Sequence, residues 1–117
     1  MRTIEIISIP VTDQKIAKEF YQKMGFEVRI ESPFGNGQQW IQMGFPGQDV
    51  SITLVNWFPE MPAGCITGFI IKTADIAADI KDLAGKGIGF SKIDDTPWGR
   101  FASAKDTDGN TITLHQG

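Results

Sequence analysis

Several short constellations in this chain carry residue types that can do chemistry. Gly85-Lys86-Gly87-Ile88-Gly89 has the glycines of a loop that wraps a phosphate in backbone N–H groups. A dinucleotide fingerprint follows a strand and opens a helix. This run closes a helical pattern instead, so it reads as a turn. Asp106-Thr107-Asp108-Gly109-Asn110 spaces oxygen donors as a calcium loop does. Such a loop needs glycine at its sixth position and a bidentate glutamate at its twelfth. Those positions hold Thr111 and Gly117. The run reads as a hairpin turn, since Gly and Asn tolerate positive φ. Asp94-Asp95 reads as a solvated pair beside a turn.

His115 is the sole histidine and the one side chain whose ordinary pKa lies near neutrality. A hydrolytic triad would need a nucleophile held by this base and a carboxylate holding the base. No Gly-x-Ser-x-Gly elbow is present, and nothing local ties His115 to an acid. It remains a weak catalytic candidate beside a structural reading at a strand end. Trp40, Trp57, Phe58 and Trp98, with Gln38, Gln42 and Arg100 nearby, suit a flat, partly polar organic ligand. The single cysteine, Cys65, cannot form an internal disulfide. Its neighbours carry no charge to activate it, so it reads as a small buried packing residue.

These residues need elements to position them. The chain has 117 residues, the size of one domain, and can bury roughly two-thirds of its unfolded surface. Its net charge of −3, with lysines scattered among acids, argues against a nucleic-acid surface. It shows no leader-like apolar region, and no apolar run approaches the roughly 18 residues of a membrane span. A soluble cytoplasmic protein is expected, with no nucleic-acid or membrane partner.

The chain says one thing twice. IPVTDQKIAKEFYQKMGF (9–26) is echoed by IKTADIAADIKDLAGKGI (71–88), with Asp13 matching Asp75 and Gly25 matching Gly87. Each half then passes a Pro-aromatic-Gly turn, Pro33-Phe34-Gly35 and Pro97-Trp98-Gly99. Each ends in a Thr-Leu strand, Thr53-Leu54 and Thr113-Leu114. Residues 4–11 read as a strand, apolar on both faces and therefore central. Asp13 caps a helix whose apolar face is Ile16, Ala17, Phe20, Tyr21 and Met24, ended by Gly25. Strands fit 26–31, 38–45 and 50–55. In the second half a strand fits 65–73, and Asp75 caps a helix with Ile76, Ile80, Leu83 and Ala84 inward. Strands then fit 89–93, 100–105 and 111–116. The fold class is α+β, two βαβββ modules in tandem: a first module over 1–57 and a second over 65–117, forming a single domain 1–117 with a cleft between like halves.

Together these residues resemble the vicinal oxygen chelate superfamily, which contains glyoxalase I, bleomycin-resistance proteins and extradiol dioxygenases. The carriers are Ile9-Pro10-Val11-Thr12-Asp13 leading into Ala17-x-x-Phe20-Tyr21, then Met24-Gly25-Phe26, Pro97-Trp98-Gly99 and Lys105-Asp106-Thr107-Asp108-Gly109-Asn110. The last run is similar to the family's Asp-Pro-Asp-Gly-Asn turn, with Thr107 in place of proline. The resemblance implies a cupped barrel around the site and, in its metalloenzymes, a divalent ion. The positions matching those ligands are Ile6, Thr53, Gly68 and Thr113. None offers the imidazole, thiolate or carboxylate that zinc or iron needs. No metal and no cofactor is therefore expected.

The resemblance then implies a metal-free, small-molecule binding protein of the sequestering kind. Ile6, Ser8, Trp40, Gln42, Thr53, Gly68, Trp98, Thr113 and His115 would line its cleft, with a small organic molecule as partner. The family commonly dimerises, and open sheets have edges to cover, so a homodimer is expected. The alternative is a lyase, isomerase or dioxygenase-like enzyme using a displaced metal or His115 as acid–base; a third possibility is a regulatory or partner-binding module.

Overall fold

The computed structural model describes residues 1–33 and 35–117; Phe34, in the first Pro-aromatic-Gly turn, lies outside them. Elements follow in the order β1 (Ile6–Pro10), α1 (Gln14–Lys23), β2 (Glu27–Pro33), β3 (Gln39–Gly44) and β4 (Ser51–Val55). The second half repeats it with β5 (Phe69–Lys72), α2 (Ile76–Ala84), β6 (Asp94–Thr96), β7 (Gly99–Lys105) and β8 (Thr111–Gln116). Two four-stranded sheets result, ordered β1-β4-β3-β2 and β5-β8-β7-β6. In each, the first strand lies parallel to the last of its module and the remaining pairs are antiparallel. Two tandem βαβββ modules are thus present.

The helix signals act as the sequence implies. Asp13 accepts from the Ile16 amide and Asp75 from the Ala78 amide, satisfying one orphan donor in each first turn. Gly25, at φ +105, takes the left-handed position after α1 that a side chain would resist. Two helical residues depart from expectation. Ala84, expected inward on α2, is exposed. Ile16 is half exposed, and Gln14 occupies a buried place beside it. Gln14 Nε2 donates to the carbonyls of Gln39 and Leu54, and the Gln39 amide donates to its Oε1. Its amide thereby pins α1 to β3 and β4.

Four further expectations are corrected. β1 is an edge strand, not a central one: it pairs with β4 alone, and Ile7 stays 48% exposed. Pro10 at its end has no N–H to give a second neighbour, which suits an edge. The strand expected over 65–73 begins only at Phe69, because Gly68 turns the backbone to φ +78. Cys65 consequently sits in a loop and is exposed, not buried. The strand expected over 89–93 falls instead at Asp94–Thr96. Before it, Ser91 bonds β7 through its amide and its hydroxyl, the latter accepting from the Ser103 amide, so the ladder is not continued by backbone alone.

The core gathers Ile9, Phe20, Tyr21, Ile41, Met43 and Leu54 of the first module with Ile76, Leu83, Ile112 and Leu114 of the second. A polar clasp joins the modules. The Tyr21 phenol donates to Asp106 Oδ2 at 2.7 Å, and Asn110 Nδ2 donates to the Pro10 carbonyl and to Asp106 Oδ2. The Asp106 Oδ1 accepts from the amides of Asp108 and Asn110. The turn that resembles a calcium loop turns its buried carboxylate inward, onto tyrosine and asparagine.

Candidate functional site

Along a strand, alternate residues face alternate sides of the sheet. Ile41, Met43, Ile52 and Leu54 enter the core beneath α1. Trp40, Gln42, Ser51 and Thr53 therefore occupy the opposite face, away from the helix. Ile6 and Ser8 join them through the register Ile6↔Ser51 and Ser8↔Thr53. The Ser8 and Thr53 hydroxyls share a hydrogen bond of 3.2 Å, and Gln42 stands opposite Thr53. Trp40 Nε1 donates to Gln42 Oε1 at 3.2 Å, while its ring stacks on Trp57 with centroids 6.3 Å apart. Ile6, Ser8, Trp40, Gln42 and Thr53, each expected at the site, thus share one face. That face carries one aliphatic side chain, the stacked Trp40–Trp57 pair, and hydroxyl and amide groups, and the one charged group that reaches it is the Arg29 guanidinium at Ser51 Oγ.

The second sheet repeats the pattern. Ala102, Ala104, Ile112 and Leu114 are core, so Phe101, Ser103, Thr113 and His115 face away from α2. The Ser103 and Thr113 hydroxyls lie 2.8 Å apart, the counterpart of the Ser8–Thr53 pair. His115 Nε2 donates to the Trp98 carbonyl at 2.9 Å, and its ring stacks on Phe101 at 4.4 Å between centroids. The imidazole therefore braces the turn between β6 and β7. Among the described residues it meets no carboxylate, so nothing there orients it as a general base. Trp98, at the tip of that turn, is 79% exposed. Its amide donates to Thr96 Oγ1, whose hydroxyl donates to the Gly99 carbonyl.

The four positions matching metal ligands do not fit a metal. Ile6 and Gly68 supply no donor, and the hydroxyls of Thr53 and Thr113 are each engaged by a serine. Among the described residues no three His, Cys, Asp or Glu side chains converge. Neutral hydroxyls already hydrogen-bonded to one another are poor ligands for zinc or iron.

Not all the expected residues meet. Trp40 belongs to the first sheet and Trp98 to a turn of the second. A cavity of about 920 Å³ opens between the modules, lined by Ile7, Ile9, Phe26, Phe45, Phe69 and Ile71 among others. Of the expected site residues only Gly68 reaches it. The sequence reading missed Ser51, Phe101 and Ser103, although alternation with Thr53 in β4 and pairing with β8 mark them. No local signal marked Arg29, whose side chain crosses to the β3–β4 loop.

Among the described residues Tyr21 has the one strongly displaced titration. Burial first, then its hydrogen bond to Asp106 and the carboxylate charges of Asp106 and Asp108, push its phenol well above the ordinary value near 10. It stays neutral and acts as a structural donor.

Comparison with known proteins agrees with this geometry. The family model described as Glyoxalase/Bleomycin resistance protein/Dioxygenase superfamily matches residues 3–114. TnmS3, an antibiotic binding protein from Streptomyces sp. CB03234, superposes with a TM-score of 0.93 at 39% identity, covering 99% of this chain and 96% of that one. A glyoxalase/bleomycin resistance protein from the same Streptomyces gives 0.85 at 40% identity, covering 97% of this chain and 100% of that one. YetH of Bacillus subtilis (strain 168), an uncharacterized protein, is 25% identical over 125 residues, with 99% of each chain covered. Among the described residues no helix is long and apolar enough to cross a membrane.

Proposed function

Because the chain belongs to the glyoxalase/bleomycin resistance protein/dioxygenase superfamily, we propose that it binds a small organic molecule, without metal and without turnover. The ligand lies against the sheet faces turned away from the helices. The observation that carries this reading is the make-up of the first sheet's face. A stacked Trp40–Trp57 pair stands beside Gln42 and a Ser8–Thr53 hydroxyl pair, with no charge among them. Such a surface holds a planar or amphipathic molecule by stacking and a few hydrogen bonds. It offers no activated nucleophile and no base. The binding role of TnmS3, at 39% identity, supports the same reading.

The protein acts as a homodimer in this proposal. Among the described residues β1 and β5 each leave one edge without a strand neighbour, and they carry Ile7 and Ile70, about half exposed where they border the cavity between the modules. Apolar edges of this kind recruit another strand or need covering.

The test is a fluorescence titration of the full chain with Nile red, a neutral planar aromatic dye, with and without chelator. Saturable binding that ignores chelator and weakens on Trp40→Ala is expected. Binding that chelator abolishes, or that Trp40→Ala leaves unchanged, overturns the reading.

A further inference from the structure

β2 carries a register irregularity: Val28 pairs with Met43, but Ile30 pairs with Gln42, so Arg29 has no partner of its own on β3. A bulge re-aims the extra side chain. Here it sends the guanidinium across Gly44, where an added Cβ would collide with it. Glycine at 44 is what lets the arginine pass. From there Nη2 donates to the carbonyls of Phe45 and Gln48. Nη1 shares its two hydrogens among the carbonyls of Asp49 and Val50 at 3.1 Å and Ser51 Oγ at 2.8 Å. One permanently charged side chain thus gathers the whole loop between β3 and β4.

The last of those contacts opens a chain of hydrogen bonds. Ser51 Oγ also accepts from Gln42 Nε2 at 3.1 Å, so both of its lone pairs are taken. Gln42 Oε1 in turn accepts from Trp40 Nε1. The indole N–H can only donate, so Gln42 must offer it oxygen and must turn its NH₂ toward Ser51. A Ser51 lone pair on that side satisfies the NH₂ and so reinforces the orientation the indole requires. The Arg29 guanidinium, by donating to the other lone pair and fixing the loop that ends at Ser51, keeps the hydroxyl in that role.

We propose that Arg29 is a positioning residue for the Trp40 ring, acting through Ser51 and Gln42. This deepens the binding reading above and rests on it for its functional consequence: the platform on which the ligand stacks is set from the far end of the sheet. A ring held in one orientation loses less freedom when a ligand docks on it.

The experiment uses the indole N–H resonances of uniformly ¹⁵N-labelled full-length protein. The chain has three tryptophans, and Trp→Phe variants assign their three signals. Arg29→Gln and Ser51→Ala should both move the Trp40 indole signal and leave that of Trp98 in place. Ser51→Ala leaves every carbonyl contact of Arg29 intact, so it decides the matter if Arg29→Gln fails to fold. Both variants should weaken Nile red binding by up to about tenfold, the worth of an aromatic stack. An unmoved Trp40 signal in Ser51→Ala overturns the positioning role, whatever the binding result. A moved signal with unchanged dye affinity leaves Arg29 positioning the ring and sinks the ligand reading of that face instead.

Discussion

The hydroxyl of Tyr21 and the carboxylate of Asp106 meet at 2.7 Å although 85 residues separate them. The bond ties α1 of one module to the β7–β8 turn of the other. Both side chains are buried, and Asp106 has its remaining donors from Asn110 and from two backbone amides. A buried carboxylate is tolerable only when its lone pairs are met in this way.

Tyr21→Phe should therefore destabilise the fold by about 1.5–3 kcal/mol, the range for a hydrogen bond to a charged group. The ring keeps its edge-on contacts with Phe20 and Phe26, so the loss belongs to the hydroxyl. Denaturant midpoints with an unchanged slope would measure it. A loss under about 0.5 kcal/mol would mean that the clasp holds without the phenol.

The same bond sets an alkaline limit. The folded phenol titrates above its unfolded value near 10, so its contribution is full below that pH. Above pH 10 the unfolded chain releases a proton that the folded one keeps. Stability should then fall by up to about 1.4 kcal/mol per pH unit relative to Tyr21→Phe. Tyr21 is the only tyrosine, so tyrosinate absorbance reports it alone. The absorbance should rise together with the loss of circular dichroism. A rise centred near pH 10 in still-folded protein would contradict the assigned environment.

Purified protein should carry no stoichiometric divalent metal, since Ile6, Thr53, Gly68 and Thr113 stand at the ligand positions and Thr53 and Thr113 are bonded to serines. Elemental analysis settles it. About one zinc, iron, manganese or nickel per chain, removable by chelator with loss of dye binding, would refute the metal-free reading.

Ile7→Lys and Ile70→Lys should each yield folded monomers. Both residues border the cavity between the modules but are about half exposed within one chain, so a lysine there can carry its ammonium to solvent and costs that chain little stability. On a paired edge it places a charge against the partner. Sedimentation at micromolar concentration should give a dimer for the parent and a monomer for both variants. A monomeric parent, or variants that still dimerise, would remove the edge-strand interface.

Local chemistry made much of the fold legible. Asp13 and Asp75 cap their helices as expected, because a cap depends on residues within one turn. Thr111–Gln116 alternates cleanly and forms β8 as expected. The first sheet's face followed from alternation too, which is why Ser8, Gln42 and Thr53 converge. What failed depended on neighbours distant in sequence. β1 is apolar on both sides, yet its place at an edge depends on which strands flank it. Cys65 reads as a packing residue, but the turn at Gly68 keeps it out of the sheet. Arg29 looks like any exposed strand arginine until the bulge in β2 and the bare Gly44 bring it onto the loop. Tyr21 and Asp106 lie in separate modules, and nothing in either segment announces the other.

The sharpest test of the ligand face compares Trp40 with Trp98. Trp98 is 79% exposed and anchored through its backbone by Thr96 and His115. Removing its ring should cost under about 0.5 kcal/mol of stability, because it packs on little. Trp40 is partly buried and stacks on Trp57, so Trp40→Ala should cost more, yet less than the roughly 3–5 kcal/mol of a core tryptophan. If both rings flank the ligand, each alanine variant should weaken Nile red binding by up to about tenfold, since one stack contributes roughly 0.5–1.5 kcal/mol beyond area burial. The rings belong to different sheets, so a joint effect would require the two faces to converge on one molecule. Within a dimer, the second face can come from the partner subunit. Mixing Trp40→Ala with Trp98→Ala chains would then restore one intact site in the mixed dimer, and a partial return of tight binding would mark it. If Trp98→Ala binds the dye as the parent does, the ligand sits on the first sheet alone and the two-walled cleft is wrong.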